Sequence, residues 1–157
     1  TVTGCKNDVG ELGNAPPTLT PSLTNVASPV LALGDTADFA SYRVRFVSQQ
    51  PCAATEPGIP RNGNQLWAAE LEVVNLSALP LAVNPFYLTL KDDQNHTYVT
   101  SLLGCPRLLD AKILSPGERV RGYVPFELPQ SLERATLLYR PVLADNLDCT
   151  ARFAVEF

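Results

Sequence analysis

His96 is the only histidine in the sequence, and methionine is absent altogether. One imidazole, set beside Asp92 and Asp93 in a polar run, is all that could activate the serine and threonine hydroxyls, and no Ser–His or Cys–His constellation forms around it. It also leaves a metal centre short, because ligands should converge from several elements, whereas these three side chains share one turn. Asp92 and Asn95 lack the spaced oxygens and closing glutamate of a calcium loop. The 9 glycines stand apart from one another, so no phosphate-cradling loop is present. No apolar run approaches the roughly 18 residues of a membrane helix. The 12 basic residues are scattered among 16 acidic ones, and a formal charge of −4 with a pI near 4.9 argues against a nucleic-acid partner. The sequence therefore predicts no catalytic residue, no cofactor and no metal.

The 157 residues are 45% hydrophobic, enough for one domain with a substantial core plus an arm. Cys5, Cys52, Cys105 and Cys149 lack the C-x-x-C pairs of structural zinc sites. An even number at wide spacing points to disulfides, which persist outside the reducing cytosol. With methionine missing even at position 1, a cleaved signal peptide is the simplest account, and the expected location is extracellular, cell-surface or periplasmic. Gly4–Cys5 also has the Gly-Cys step of bacterial lipoprotein processing. A lipid anchor at Cys5 would remove Thr1 to Gly4, and their presence speaks against it.

Residues 1–33 read as an extended arm, punctuated by Pro16, Pro17, Pro21 and Pro29 and free of either period. From residue 34 the text is strand-like. Tyr42, Val44 and Phe46 alternate with Arg43 and Arg45, and Trp67, Ala69, Leu71 and Val73 alternate with Glu70 and Glu72. Phe86, Leu88 and Leu90 form a third alternating set, closed by the Asp92–Asn95 turn cluster and a return over Thr97 to Thr100. Val120, Gly122, Val124, Phe126 and Leu128 follow the Pro116–Gly117 turn. Two shorter strands complete the chain, around Thr136 to Arg140 and Ala151 to Phe157. Seven or so short alternating strands without a helical stripe predict an all-β sandwich over 34–157. Its core should hold Phe46, Trp67, Leu71, Val73, Leu88, Val124 and Phe126. Glu70 and Glu72, on one side of their strand, read as a solvated face, as do Arg119 and Arg121.

The run from Trp67 to Asn75 resembles the "v-x-v-x-v-x-N" strand of an immunoglobulin-like domain of unknown function found in bacterial secreted proteins and lipoproteins. That family is similar in fold to the mycobacterial immunoprotective extracellular antigen. The resemblance continues through Leu81–Phe86, Leu88–Asp92 and Leu114–Glu118, and ends on Gly122–Pro129, a "G-x-v-x-F-x-v-P" strand. It covers roughly residues 34–141 and implies an antiparallel immunoglobulin-like sandwich, while its motifs are structural punctuation and imply little about activity.

A non-catalytic exported module acting through protein contacts is the expected function. The alternative is a subunit of an extracellular assembly, its arm docked on another protein or on copies of itself; Val30 to Leu33 could add a strand to a neighbour's sheet edge. An enzyme of unrecognised type ranks below both. Two sequons, at Asn75 and Asn95, fall at turns where a sugar would be accessible. Strand parity places the Cys105 and Cys149 loops at one end of the sandwich, so the expected bridges are Cys105–Cys149 and Cys5–Cys52. The first would contribute about 4 kcal/mol by the loop-length relation.

Overall fold

A computed structural model describes residues 29–53, 59–101, 105, 107–143 and 149–157. The strands, in chain order, are β1 (Val30–Leu31), β2 (Thr36–Asp38), β3 (Tyr42–Pro51), β4 (Asn64–Asn75), β5 (Leu81–Val83), β6 (Leu88–Lys91), β7 (Thr97–Val99), β8 (Lys112–Leu114), β9 (Arg119–Pro129), β10 (Arg134–Tyr139) and β11 (Ala151–Glu156). They form a five-stranded sheet in the order β1-β11-β10-β6-β7, a four-stranded sheet in the order β2-β3-β4-β9, and a small β5-β8 ribbon. Every pairing is antiparallel except that of β1 with β11.

Period-two alternation explains why the two large sheets face each other. Tyr42, Val44 and Phe46 from β3, with Trp67, Leu71 and Val73 from β4 and Val124, Phe126 and Leu128 from β9, meet Leu88, Leu90, Leu137, Tyr139 and Phe153 from the opposite sheet. Apart from Trp67, at 5% exposure, these side chains are 1% exposed or less, and each aliphatic or Phe side chain so buried contributes roughly 1.5–3 kcal/mol. Phe46 meets Phe153 edge-on across the interface at 5.8 Å between ring centroids. All seven expected core residues lie in this cluster.

One alternation fails. Pro85–Tyr87 is a 3₁₀ turn, capped by the Asn84 side chain, which accepts from the Phe86 amide at 2.9 Å. A 3₁₀ turn has no two-residue alternation, so Phe86 leaves the core and stands 58% exposed.

Gly122 explains the glycine in the β9 motif. A Cβ there would lie 2.5 Å from the Leu109 Cα, because the backbone of Leu108 and Leu109 crosses β9 at that point. Leu109 donates its amide to the Tyr123 carbonyl at 2.8 Å, and Tyr123 donates to Arg107 at 2.9 Å, while the Leu109 side chain fills the core.

The disulfide expectation requires correction. Cys52 is bonded to Cys105, so neither expected bridge, Cys105–Cys149 or Cys5–Cys52, forms. The strand directions behind the expectation are right, but β7 ends after three residues, before crossing the sandwich. Thr100 bridges Phe126, Phe126 pairs with Trp67, and Trp67 pairs with Pro51, so the chain is still level with Cys52 when it turns away. It brings Cys105 over Ala68 and Tyr123 on the outer side of the four-stranded sheet, where Cys52 joins them. Cys149 is also disulfide-bonded, and its partner lies outside the described residues.

Val30 and Leu31, within the expected arm, pair with Arg152 and Phe153 of the same chain. The rest of that arm, residues 1–28 with Cys5, lies outside the described residues.

Candidate binding surface

Asp92 organises the hairpin between β6 and β7. One carboxylate oxygen accepts from the Gln94 and His96 amides at 2.9 Å each, and the other from His96 Nδ1 at 2.9 Å and Tyr98 Oη at 3.1 Å. Burial pushes this carboxyl up, yet the bonds from His96, Tyr98 and Gln94 together hold it below the usual carboxylate range. Asn95 adopts the left-handed conformation of the turn, with φ 67°. The hairpin borders a depression of about 390 Å³ that also includes Ser131 and Arg134. Arg134 reaches Asp93 at 3.6 Å, whereas Ser131 makes no hydrogen bond to His96. His96 and Asp92 thus act as turn supports. Among the described residues no cluster of three or more His, Cys, Asp or Glu side chains could hold a metal ion.

Asn75 is the second structural polar centre, and the accessible-turn reading of its sequon fails. The side chain is fully buried. Its Nδ2 donates to the carbonyls of Leu79 at 2.8 Å and Leu114 at 3.0 Å, while Oδ1 accepts from the Ser77 amide and hydroxyl at 2.9 Å each. Both amide hydrogens are committed, which leaves no position for a sugar in the folded domain. Asn95, by contrast, is exposed.

The outer surfaces of the two large sheets both carry charged side chains. On the four-stranded sheet Glu70 is 6% exposed, contrary to the solvated reading. Arg121 donates to its two oxygens at 2.9 and 3.1 Å, and Ser48 donates at 2.6 Å. The Arg121 bonds lead in holding Glu70 below its ordinary pKa against the upward push of burial, with Ser48 and the Arg121 charge assisting. Arg43 pairs with Asp38, and Arg45 lies opposite Glu72 in the register.

The five-stranded sheet presents a second charged surface. Lys91, Arg134, Arg152 and Glu156 stand there, with Arg140 directly after β10 and Asp93, two residues past β6, paired with Arg134. Glu156 is opposite Arg134 in the register, leaving Lys91 and Arg152 without an ion pair among the described residues. Arg152 lies beside Leu138, and Leu138 beside Thr89, in one outward row. Next to that row, Phe86, Tyr87 and Arg140 complete a depression of about 430 Å³. The Arg152 Nε is buried within the structure and makes no hydrogen bond. Nothing in the sequence of β11 alone marks Arg152, because its alternation with Ala154 and Glu156 reads as an ordinary solvent-facing edge.

Two facing sheets with a short 3₁₀ corner and an inter-loop disulfide define an immunoglobulin-like β-sandwich. Residues 31–148 match the family described as "Domain of unknown function (DUF4352)", and the chain belongs to that family. No curated protein is similar in sequence. Among solved structures, the chain is similar to the putative lipoprotein ycdA of Bacillus subtilis, with a TM-score of 0.66 and 13% identity over 77% of this chain and 38% of that one. It is also similar to B. subtilis yjhA, with a TM-score of 0.62 and 15% identity over 81% and 100% of the two chains. The secreted protein MPT63 of Mycobacterium tuberculosis gives a TM-score of 0.60 and 13% identity over 83% of this chain and 100% of that one. At such identities the likeness concerns the fold, and the chain spans well under half of the ycdA protein.

Proposed function

We propose that this domain is a non-catalytic, exported binding module that contacts another protein through the outer surface of its five-stranded sheet. The observation that carries the reading is the depression bounded by Phe86, Tyr87, Leu138, Arg140 and Arg152, which joins exposed aromatic surface to cationic groups. Aromatic residues and arginine are the side chains that dominate protein interfaces. Export is supported by the Cys52–Cys105 bridge, since disulfides persist in oxidising compartments, and by likeness to a secreted protein and a lipoprotein.

Site-specific photo-crosslinking in the producing cell tests the proposal. A photoreactive residue at Thr89 is expected to give an adduct whose linked peptides map to one partner polypeptide, while the same residue at Glu72 on the opposite sheet gives none. Adducts of equal yield from both positions, or none from Thr89, would refute it.

A further inference from the structure

We infer that Asn62 is a site of spontaneous backbone modification, where the Asn62–Gly63 step passes through a cyclic imide into aspartyl and isoaspartyl linkages. The inference is independent of the proposed binding role. Arg61–Asn64 is the turn that leads into β4, closed by the Asn64 amide, which donates to the Arg61 carbonyl at 2.9 Å. Asn62 and Gly63 are both exposed at its tip. Gly63 has φ 83°, in the left-handed region that glycine enters without steric cost. A Cβ there would meet nothing within 4 Å, so the space around this residue is open. Among the described residues neither the Asn62 side chain nor the Gly63 amide has a hydrogen-bond partner. A side-chain amide and the next backbone nitrogen are therefore both free, with no side chain between them.

The reaction needs these two groups and water. The Gly63 nitrogen attacks Cγ of Asn62 and gives up its proton, and the Asn62 side-chain nitrogen leaves as ammonia. Water then opens the five-membered ring at one of two bonds. Breaking the bond from nitrogen to Cγ leaves an ordinary peptide with aspartate at 62. Breaking the bond from nitrogen to the main-chain carbonyl leaves isoaspartate, with one more carbon in the backbone. Either product carries a carboxylate where the amide was neutral. The other asparagines among the described residues each lack one requirement. Asn64 is held by Glu127, to which its Nδ2 donates at 2.7 Å. Asn75 has its side chain committed, and the Leu76 amide donates to the Ser41 carbonyl at 3.0 Å. Asn84 precedes Pro85, which has no amide hydrogen. Asn95 precedes His96, whose amide donates to Asp92 at 2.9 Å.

The test incubates the full folded chain at mildly alkaline pH, which favours the attacking nitrogen, and samples it over time by ion exchange and peptide mapping. A more acidic species is expected to accumulate. Its peptide holding Asn62 should show the one-dalton gain of an amide turned to an acid, in two chromatographic forms. One form should be cut by a protease that cleaves before aspartate, and the other, the isoaspartyl form, should resist it. Over the same period the peptides holding Asn64, Asn75, Asn84 and Asn95 should keep their mass. Asn62→Gln, whose longer side chain would have to close a larger ring, should not form the acidic species, and circular dichroism establishes that it folds as the parent does. Conversion at Asn75 or Asn95 as fast as at Asn62 overturns the inference. So does a product that is aspartate alone, since direct hydrolysis of the side chain would then replace the imide. Conversion at Asn62 in denaturant but not in the folded chain also overturns it, because the turn would then protect the step that it is inferred to expose.

Discussion

Asn75 should be among the least replaceable polar residues in the domain, and its hydrogen bonds allow the cost to be worked out. The side chain makes four bonds from a fully buried position: two donated to Leu79 and Leu114, and two accepted from Ser77. These bonds join the end of β4 to the turn that follows and to the end of β8. Asn75→Ala removes all four partners at once. At a net value of about 1 kcal/mol per bond, with the orphaned carbonyl and amide groups buried, the loss is about 3–5 kcal/mol. For a domain of this size that corresponds to a fall of roughly 10–20 °C in the unfolding midpoint. Asn75→Asp should be no better despite its shape, because a buried carboxylate would face the Leu79 and Leu114 carbonyls without a hydrogen to offer. Ser77→Ala should cost only about 1 kcal/mol, and combining it with Asn75→Ala should give less than the sum, since the two share bonds. Differential scanning calorimetry at neutral pH checks the series. A loss below about 1 kcal/mol for Asn75→Ala would show that water replaces the amide and that the buried network is not what holds this corner.

Three further outcomes follow from the packing and the charges. Gly122→Ala should destabilise by about 1–3 kcal/mol, because the backbone of Leu109 must retreat from β9; a midpoint unchanged in calorimetry would refute the close crossing. Non-reducing peptide mapping should recover Cys52–Cys105 and, with Cys5 the only cysteine left, Cys5–Cys149; replacing Cys52 and Cys105 by alanine should cost about 4 kcal/mol for a sequence separation of 53 residues. Glu70→Gln should lower the midpoint at neutral pH. Its carboxyl is held below the ordinary value in the folded state, so its contribution is full above the ordinary carboxylate pKa and is lost as pH falls through the folded value. The difference between Glu70→Gln and the parent should therefore shrink on acidification, and a difference constant from neutral to acid pH would assign the effect to packing.

Much of the fold was legible because strand alternation is a local property. Residues two apart in an extended chain share a side whatever the strand pairs with, so Trp67, Leu71, Val73, Val124 and Phe126 could be placed in the core from spacing alone. Phe86 escaped because the Asn84 cap turns the backbone into a 3₁₀ corner, and no two-residue rule survives such a corner. The motif asparagine and glycine were visible as punctuation, but not their tasks. Asn75 is defined by the carbonyl of Leu114, 39 residues away, and Gly122 by the backbone of Leu109.

The sequence by itself determined the all-β class, the inward set of side chains and the family to which the chain belongs. Only the tertiary structure decided which cysteines meet, because that depends on β7 stopping level with Pro51 instead of crossing the sandwich. It alone decided the charge of each face as well. Lys91, Arg134, Arg140 and Arg152 come from three separate stretches of chain, and their sum has meaning only after β6, β10 and β11 are set side by side, a pairing fixed by long-range burial and not by any neighbour in sequence.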